Sequence, residues 1–331
     1  MTTEKARVYI TIDTETSLGG GWKNPGSPPV PLDRTVYGRY GSQFYGIPLI
    51  MDILEKFGFR ATFFTEVFCS YCLGDEEVGK LLQYIRDRGH DAQLHLHPTY
   101  RFYRDFLRGG PRRETDLMAQ LSPAEQRELI AEGAALFRNL SGSPPRAYRA
   151  GCYGASEVTL AALRENGIPI DASYNLAYQG VTCQFQKGLL NAPALLEGVY
   201  EFPVTVFRVA GVSGYKALEI SAVSVNEILD AIRARRQAGA LHTVLVLHSF
   251  SLLKSRSNQF DAYRPDHIVI QRLRRLCAAL FELRDEIEVG VLGEEDLGSI
   301  RLDQSQLVPS LGLLQASIRK AIQGANRFPW L

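Results

Sequence analysis

The sequence has few cysteines: five in 331 residues, at positions 69, 72, 152, 183 and 277. An odd number at these spacings makes no disulfide framework. Cys69-Ser70-Tyr71-Cys72 is a single C-x-x-C with no second pair, so it reads as two ordinary thiols. Excess charge is missing too. Lysine and arginine number 37 against 36 acids, a net charge of +1, which excludes a bulk electrostatic footprint for nucleic acid. No apolar run is long enough to span a bilayer. Met1 to Arg7 is polar, with no apolar stretch behind it, so no secretory leader is read and a reducing cytoplasm is the expected location. The chain lacks internal repeats, a G-K-[ST] phosphate loop and the G-x-G-x-x-G spacing of dinucleotide sites. Nothing marks a domain linker. The 45% hydrophobic and 22% charged content belongs to an ordinary globular protein.

Histidine is also scarce, with six in the chain, yet three of them fall in Gly89-His90-Asp91-Ala92-Gln93-Leu94-His95-Leu96-His97-Pro98. Ala92 to His97 alternates like a strand, so His95 and His97 share one face and Leu94 and Leu96 the other. Pro98 marks the strand end. Two imidazoles side by side at a strand terminus are half of a metal site when a carboxylate joins them. His90 precedes the strand and reads as structural.

Arg7 to Asp13 (RVYITID) is a β-branched and aromatic first strand. Asp13 and Glu15 lie two apart at its carboxyl end and share a face if the strand geometry continues. Residues 16–46 are rich in Gly and Pro and have no periodicity, as in a binding loop. Trp22 and three tyrosines punctuate the loop, placed either to stack on a sugar or to anchor it. A helix from Pro48 to Phe57, a strand from Phe59 to Val67, a helix from Asp75 to Arg88 and the histidine strand then give β-α-β-α-β, hence a parallel sheet. Residues 99–120 read as a charged aromatic loop whose Arg101 and Arg104 are solvated.

Ser122-Pro123-Ala124-Glu125 is a capping box opening a helix to about Leu140. A strand from Ala147 to Ala150 follows, then a helix from Ser156. Pro169 to Ala172 and Tyr200 to Val209 read as strands, the second bent at Pro203. Ser224 and Glu227 open another helix. Thr243 to Leu247 is an apolar strand ending at His248. Pro265 to Leu283 has helical spacing, with Arg272, Arg274 and Arg275 on a solvated face. Ile287 to Val291 reads as a last strand. Leu311 to Ile322 is an amphipathic helix, and Phe328 to Leu331 is an apolar end suited to docking on the body or on a second subunit. One α/β barrel over residues 1–300, with a helical extension at 301–331, is the expected organisation.

Asp13 and Glu15, His95 and His97, Arg149 and His248 all lie at carboxyl ends of expected strands. In a barrel those ends meet on one face. Two histidines and an acid suit Zn²⁺ first, with Fe²⁺, Co²⁺ or Ni²⁺ fitting the same donors. A second carboxylate held by an arginine can take a proton from water, and a separate histidine can protonate a leaving amine. These are the parts of a metal-assisted amide hydrolase.

Over roughly residues 7 to 295 the chain resembles the polysaccharide deacetylase superfamily, the NodB-homology or carbohydrate esterase family 4 group. Thr11-Ile12-Asp13-Thr14-Glu15 is similar to its first motif. Gly89 to His97 is similar to its histidine motif, Arg149-Ala150-Gly151-Cys152-Tyr153 to its arginine motif, and Leu247-His248 to its last. The resemblance implies a distorted (β/α)7 barrel and metal-dependent removal of acetyl groups from a sugar or glycan precursor. By position, Asp13 matches the general base, His248 the general acid and Arg149 the residue that orients the base. Three departures stand out. Thr14 replaces the usual second Asp, so Glu15 is expected to supply the carboxylate ligand. Thr99 occupies the usual second-histidine position, so His97 is assigned beside His95. Gly151-Cys152 replaces Pro-Tyr, leaving Cys152 and Tyr153, with Trp22, as the expected substrate contacts. The expected partner is a small-molecule or oligosaccharide substrate. Opening of a cyclic imide or ureide on the same fold is the alternative activity, and a non-catalytic binding barrel is a third reading.

Overall fold

The computed structural model describes residues 4–257 and 259–312. In chain order the main elements begin with β1 (Ala6–Thr14), α1 (Ile47–Glu55), β2 (Thr62–Glu66), α2 (Asp75–Asp87), β3 (Asp91–Leu96) and α3 (Pro98–Leu107). Next come α4 (Pro123–Ser141), β4 (Ala147–Ala150), α5 (Glu157–Glu165), β5 (Ile170–Asp171), β6 (Ala194–Leu196), β7 (Val199–Glu201) and β8 (Val206–Val209). The last are α6 (Val225–Gln237), β9 (His242–His248), α7 (His267–Glu282), β10 (Ile287–Gly290) and β11 (Ser310–Leu311).

The central sheet has nine strands in the order β9-β1-β2-β3-β4-β5-β7-β6, with β10 also on β1. Every pair in it is parallel except β6 with β7. Crossovers between parallel strands need helices, which cover the outer face. Irregular backbone closes the ring between β7 and β9. Val204 N–H donates to Tyr174 O (2.9 Å), Thr205 N–H to Val244 O (3.2 Å), and Ile220 N–H to Val246 O (2.9 Å). The result is a distorted (β/α) barrel of the expected kind.

Alternation decides what fills it. Tyr9, Phe64, Ala147, Ile170, Ala172, Phe202 and Val244 point inward and pack as a dry plug below the mouth. The outer faces of the strands meet the apolar stripes of the helices. On α7, Leu273, Leu276 and Leu280 are buried at helical spacing, each contributing about 1.5–3 kcal/mol relative to exposure. Both capping boxes form as expected, with Ser122 and Glu125 opening α4 and Ser224 and Glu227 opening α6. No helix of the described residues is long and apolar enough to cross a membrane.

Several expectations need correction. The segment after Pro98 begins with helix α3 rather than loop, because Pro98 occupies the first turn and Tyr100 and Tyr103, three apart, bury one face. Arg101 and Arg104 are not solvated; both pair with Glu132 on α4. The long strand read at Tyr200 to Val209 is two strands, divided around Pro203, with β8 in a separate small sheet. Arg272 leaves the solvated face and donates to the Ile220 carbonyl (3.0 Å). Leu311 pairs in β11 with Val209 of β8. Most of the expected terminal helix, and the apolar end at Phe328 to Leu331 with its suggested subunit contact, lie outside the described residues.

Candidate active site

The carboxyl end of β1 is flanked by the carboxyl ends of β9 and β2. Asp13 stands opposite His248 in register, and His95 of β3 stands opposite Arg149 of β4. The residues named from the sequence therefore meet at one mouth.

Glu15, one residue beyond β1, sends its Oε2 between two imidazoles. His95 Nε2 lies 3.1 Å from it and His97 Nε2 2.7 Å. The extended geometry of β3 continues through His97 (φ −108°, ψ 104°) before Pro98 opens α3, so both rings stay on one side. They meet edge to face, with centroids 5.0 Å apart. Each ring is held from behind. His95 Nδ1 donates to the Arg149 carbonyl (2.8 Å), and His97 Nδ1 donates to Asp116 Oδ2 (2.9 Å). Those partners orient both rings and turn both Nε2 atoms toward Glu15.

One carboxylate oxygen facing two imidazole Nε2 atoms is an arrangement that a divalent cation can bridge. One ligand atom from each of Glu15, His95 and His97 lies within 4.8 Å of the others, and a His₂–carboxylate set suits a divalent metal. The same clustering is electrostatic. Burial pushes the Glu15 carboxyl up, but His97 and the hydrogen bonds of both histidines outweigh it and hold it well below the usual carboxylate range. Burial lowers the His97 imidazole, and Asp116 and Glu15 outweigh that and raise it well above its ordinary value.

Asp13 is built differently. Its Oδ1 accepts from Arg149 Nη1 at 2.6 Å, and its Oδ2 lies 3.9 Å from His248 Nε2. Arg149 is fully buried. Its Nη1 also donates to Thr11 Oγ1 (2.9 Å), its Nε donates to the Ala172 carbonyl (2.9 Å), and its guanidinium lies over the Phe64 ring (4.4 Å). A cation so enclosed positions the carboxylate rigidly. His248 is half-buried at the rim, its ring 5.2 Å from Phe250.

After β4 the chain makes a sharp turn in which Cys152 (φ 53°) and Tyr153 (φ 58°) both adopt left-handed backbone. Non-glycine residues rarely do so, and such strain concentrates at functional sites. Gly151 is required here because a Cβ would lie 2.5 Å from His97 Nδ1. Tyr153 stacks on Tyr178 (5.5 Å), and the exposed Cys152 thiol reaches toward Asp116 (3.9 Å). Cys152, Asp116 and His97 form a second group of potential ligands.

Trp22 does not offer a stacking surface. It is 9% exposed, packed by Tyr103 and Phe106 of α3, and donates to Thr99 Oγ1 (2.9 Å). It anchors the 16–46 loop, aided by the Gly26 N–H to Tyr103 Oη bond (3.1 Å). Thr99 Oγ1 accepts from Trp22 and is not part of the Glu15, His95 and His97 group. His90 lies at the opposite end of β3, accepting from Ala61 N–H (3.1 Å), and is structural as read. All five cysteines are free.

Two residues escaped the sequence reading. Asp116 sits in a charged loop with no motif around it. Glu66 ends β2 and receives the backbone N–H groups of Phe68 (2.6 Å) and His97. Burial raises its carboxyl to about 8 despite these bonds. A buried acid at a strand end next to the histidine strand was the available signal.

No family model matches this chain, and no curated protein matches it. Solved structures do. A 4-alpha-glucanotransferase from Thermococcus litoralis superposes with a TM-score of 0.53 at 15% identity, covering 88% of this chain and 40% of that one. A Mycobacterium smegmatis protein described as a polysaccharide deacetylase gives 0.47 at 15% identity, covering 97% and 92%. A peptidoglycan deacetylase from Bacillus subtilis gives 0.41 at 11% identity, covering 99% and 98%.

Proposed function

We propose that this chain is a metal-dependent deacetylase that hydrolyses the N-acetyl group of a sugar or glycan precursor. One observation carries the reading: Glu15 Oε2 lies 3.1 and 2.7 Å from two imidazoles, while Asp13, two residues earlier, is held by Arg149 beside His248. On this reading metal ligation and proton transfer fall to separate carboxylates.

Glu15, His95 and His97 would hold the ion, with Zn²⁺ the first choice. When bound, the ion supplies Lewis acidity toward the acyl oxygen and lowers the pKa of its water. Asp13 then takes the proton of the attacking water, and Arg149 keeps its carboxylate aimed. His248 delivers a proton to the leaving nitrogen from the end of the neighbouring strand β9. Backbone N–H groups of the strained turn at Cys152 and Tyr153 are the candidates to receive the developing oxyanion.

The direct test is acetate release by the metal-loaded full chain from N-acetylglucosamine and its oligomers, run beside a cyclic ureide. Acetate release that a chelator stops and Zn²⁺ restores is expected. Ring opening of the ureide without any acetate release would replace this activity with the alternative. Activity indifferent to the chelator would remove the metal.

Gly151→Ala is expected to weaken metal binding about 10- to 100-fold, the usual cost of disturbing what supports a ligand. The new methyl must displace His97 from Asp116. Metal titration with a fluorescent competitor measures this, and unchanged affinity would show that the turn yields without moving His97.

A further inference from the structure

Cys69, Cys183 and Cys277 are buried and Cys72 is half-buried, but Cys152 is exposed and stands at the mouth. It also occupies one of the departures from the arginine motif, where Gly151-Cys152 replaces Pro-Tyr. Its backbone is left-handed (φ 53°), which costs any residue that carries a Cβ. The chain therefore holds a thiol here against a local penalty.

That thiol faces two other donors. Cys152 Sγ lies 3.9 Å from Asp116 Oδ2, and the same oxygen lies 2.9 Å from His97 Nδ1. One donor atom from each of the three residues lies within 4.8 Å of the others. Asp116 Oδ1 accepts from Thr99 N–H (3.4 Å), which leaves Oδ2 to face the sulfur and the ring. Solvent reaches the group, since the His97 and Asp116 side chains are 13% and 33% exposed.

The spacing suits a small tetrahedral ion. Zn²⁺ takes sulfur at about 2.3 Å and nitrogen or oxygen at about 2.0–2.2 Å, which sets its donors about 3.4–3.6 Å apart. Against that, Sγ and Oδ2 stand slightly too far apart and Oδ2 and Nδ1 slightly too close, and small side-chain rotations cover both differences. A thiolate among the donors favours Zn²⁺ over Mg²⁺, Ca²⁺ and Mn²⁺, which prefer oxygen throughout.

We infer that Cys152 Sγ, Asp116 Oδ2 and His97 Nδ1 form a second site for a thiophilic divalent ion, filled after the site of Glu15, His95 and His97. The inference rests on the proposed first site for the order of filling. His97 then bridges two ions, with Nε2 toward the first and Nδ1 toward the second. The thiol proton and the proton between Nδ1 and Asp116 leave to solvent as the ion enters. The second ion binds more weakly, because two cations share one ring and repel each other. It also draws Cys152 toward Asp116, and with it the turn that carries the proposed oxyanion donors. Acetate release should therefore fall as the second site fills.

The test titrates the metal-free full chain with Co²⁺, which gives a near-ultraviolet charge-transfer band when a thiolate binds it and none from carboxylate and imidazole alone. The band is expected with the second equivalent and not with the first. Cys152→Ser should lose the band and bind one ion. In the unsubstituted chain, alkylation of Cys152 by iodoacetamide, mapped by mass spectrometry, should be lost with the second equivalent of Zn²⁺. Acetate release should fall between one equivalent of Zn²⁺ and an excess, and Cys152→Ser, compared with itself at the two loadings, should lose that fall. A chain that binds one ion without the band, or a band that survives Cys152→Ser, overturns the inference. So does a second ion that leaves alkylation of Cys152 unchanged. A rate that stays level while the band forms overturns the inhibitory effect. If no acetate is released at any loading, the band at the second equivalent and its loss in Cys152→Ser still support the site, and the deacetylase reading alone falls.

Discussion

His248→Ala is expected to lower kcat by about 10²–10⁴, the usual scale for one general acid. The side chain sits at the rim, half-buried and 3.9 Å from Asp13 Oδ2. Its removal therefore opens no deep cavity, and Tm should hardly move. The pH–rate profile separates its role from a packing role. An ionised Asp13 and a protonated His248 are needed together, which makes kcat/KM bell-shaped. Losing the acid should remove mainly the alkaline limb and leave the metal content intact. Asp13→Asn should be about as damaging and should flatten the acid limb instead. Asn keeps an oxygen for Arg149 Nη1, so the buried guanidinium is not stranded. If Asp13→Asn loses the metal and Glu15→Gln keeps it, the two carboxylates have exchanged the roles proposed here.

His95→Ala is expected to abolish both metal binding and activity. His95 is the most enclosed of the three proposed ligands, 1% exposed, with its Nδ1 committed to the Arg149 carbonyl. Its loss takes one donor from a set of three and frees the backbone of the residue that holds Asp13. Metal stoichiometry by atomic emission is the primary measurement. Thermal shift is the second, since an ion bound only to the folded state raises Tm and the variant should lose that rise. Full stoichiometry in His95→Ala would exclude it as a ligand. Glu15→Gln should lower affinity less completely, because the amide oxygen can still face both imidazoles.

The period-2 alternation of Arg7 to Asp13 and of Ala92 to His97 was enough to place Asp13, His95 and His97 at strand ends and on the correct faces. That works because a strand's side-chain direction is a local property of the backbone. The capping boxes at Ser122 and Ser224 were legible for the same reason, since donor and acceptor lie three residues apart. The order of alternating strands and helices then left few topologies other than a barrel. Pro98 shows the limit of local reading. It was read as the end of a strand, and it is also the first turn of α3. The burial of Tyr100 and Tyr103 that stabilises that helix comes from elements elsewhere in the chain.

By itself, then, the sequence determined the strand ends, the two histidines on one face and the barrel order, because each depends on neighbours within a few residues. Only the tertiary structure decided what those groups meet. Asp116 reaches His97 from 19 residues away, Glu66 holds the His97 backbone across 31, and Arg149 meets Asp13 across 136. It also turned Trp22 into an anchor. Such contacts follow from how a curled sheet brings distant strand ends and loops to one mouth. No short window of residues encodes that curl, since its geometry is set by the twist and register of the whole sheet.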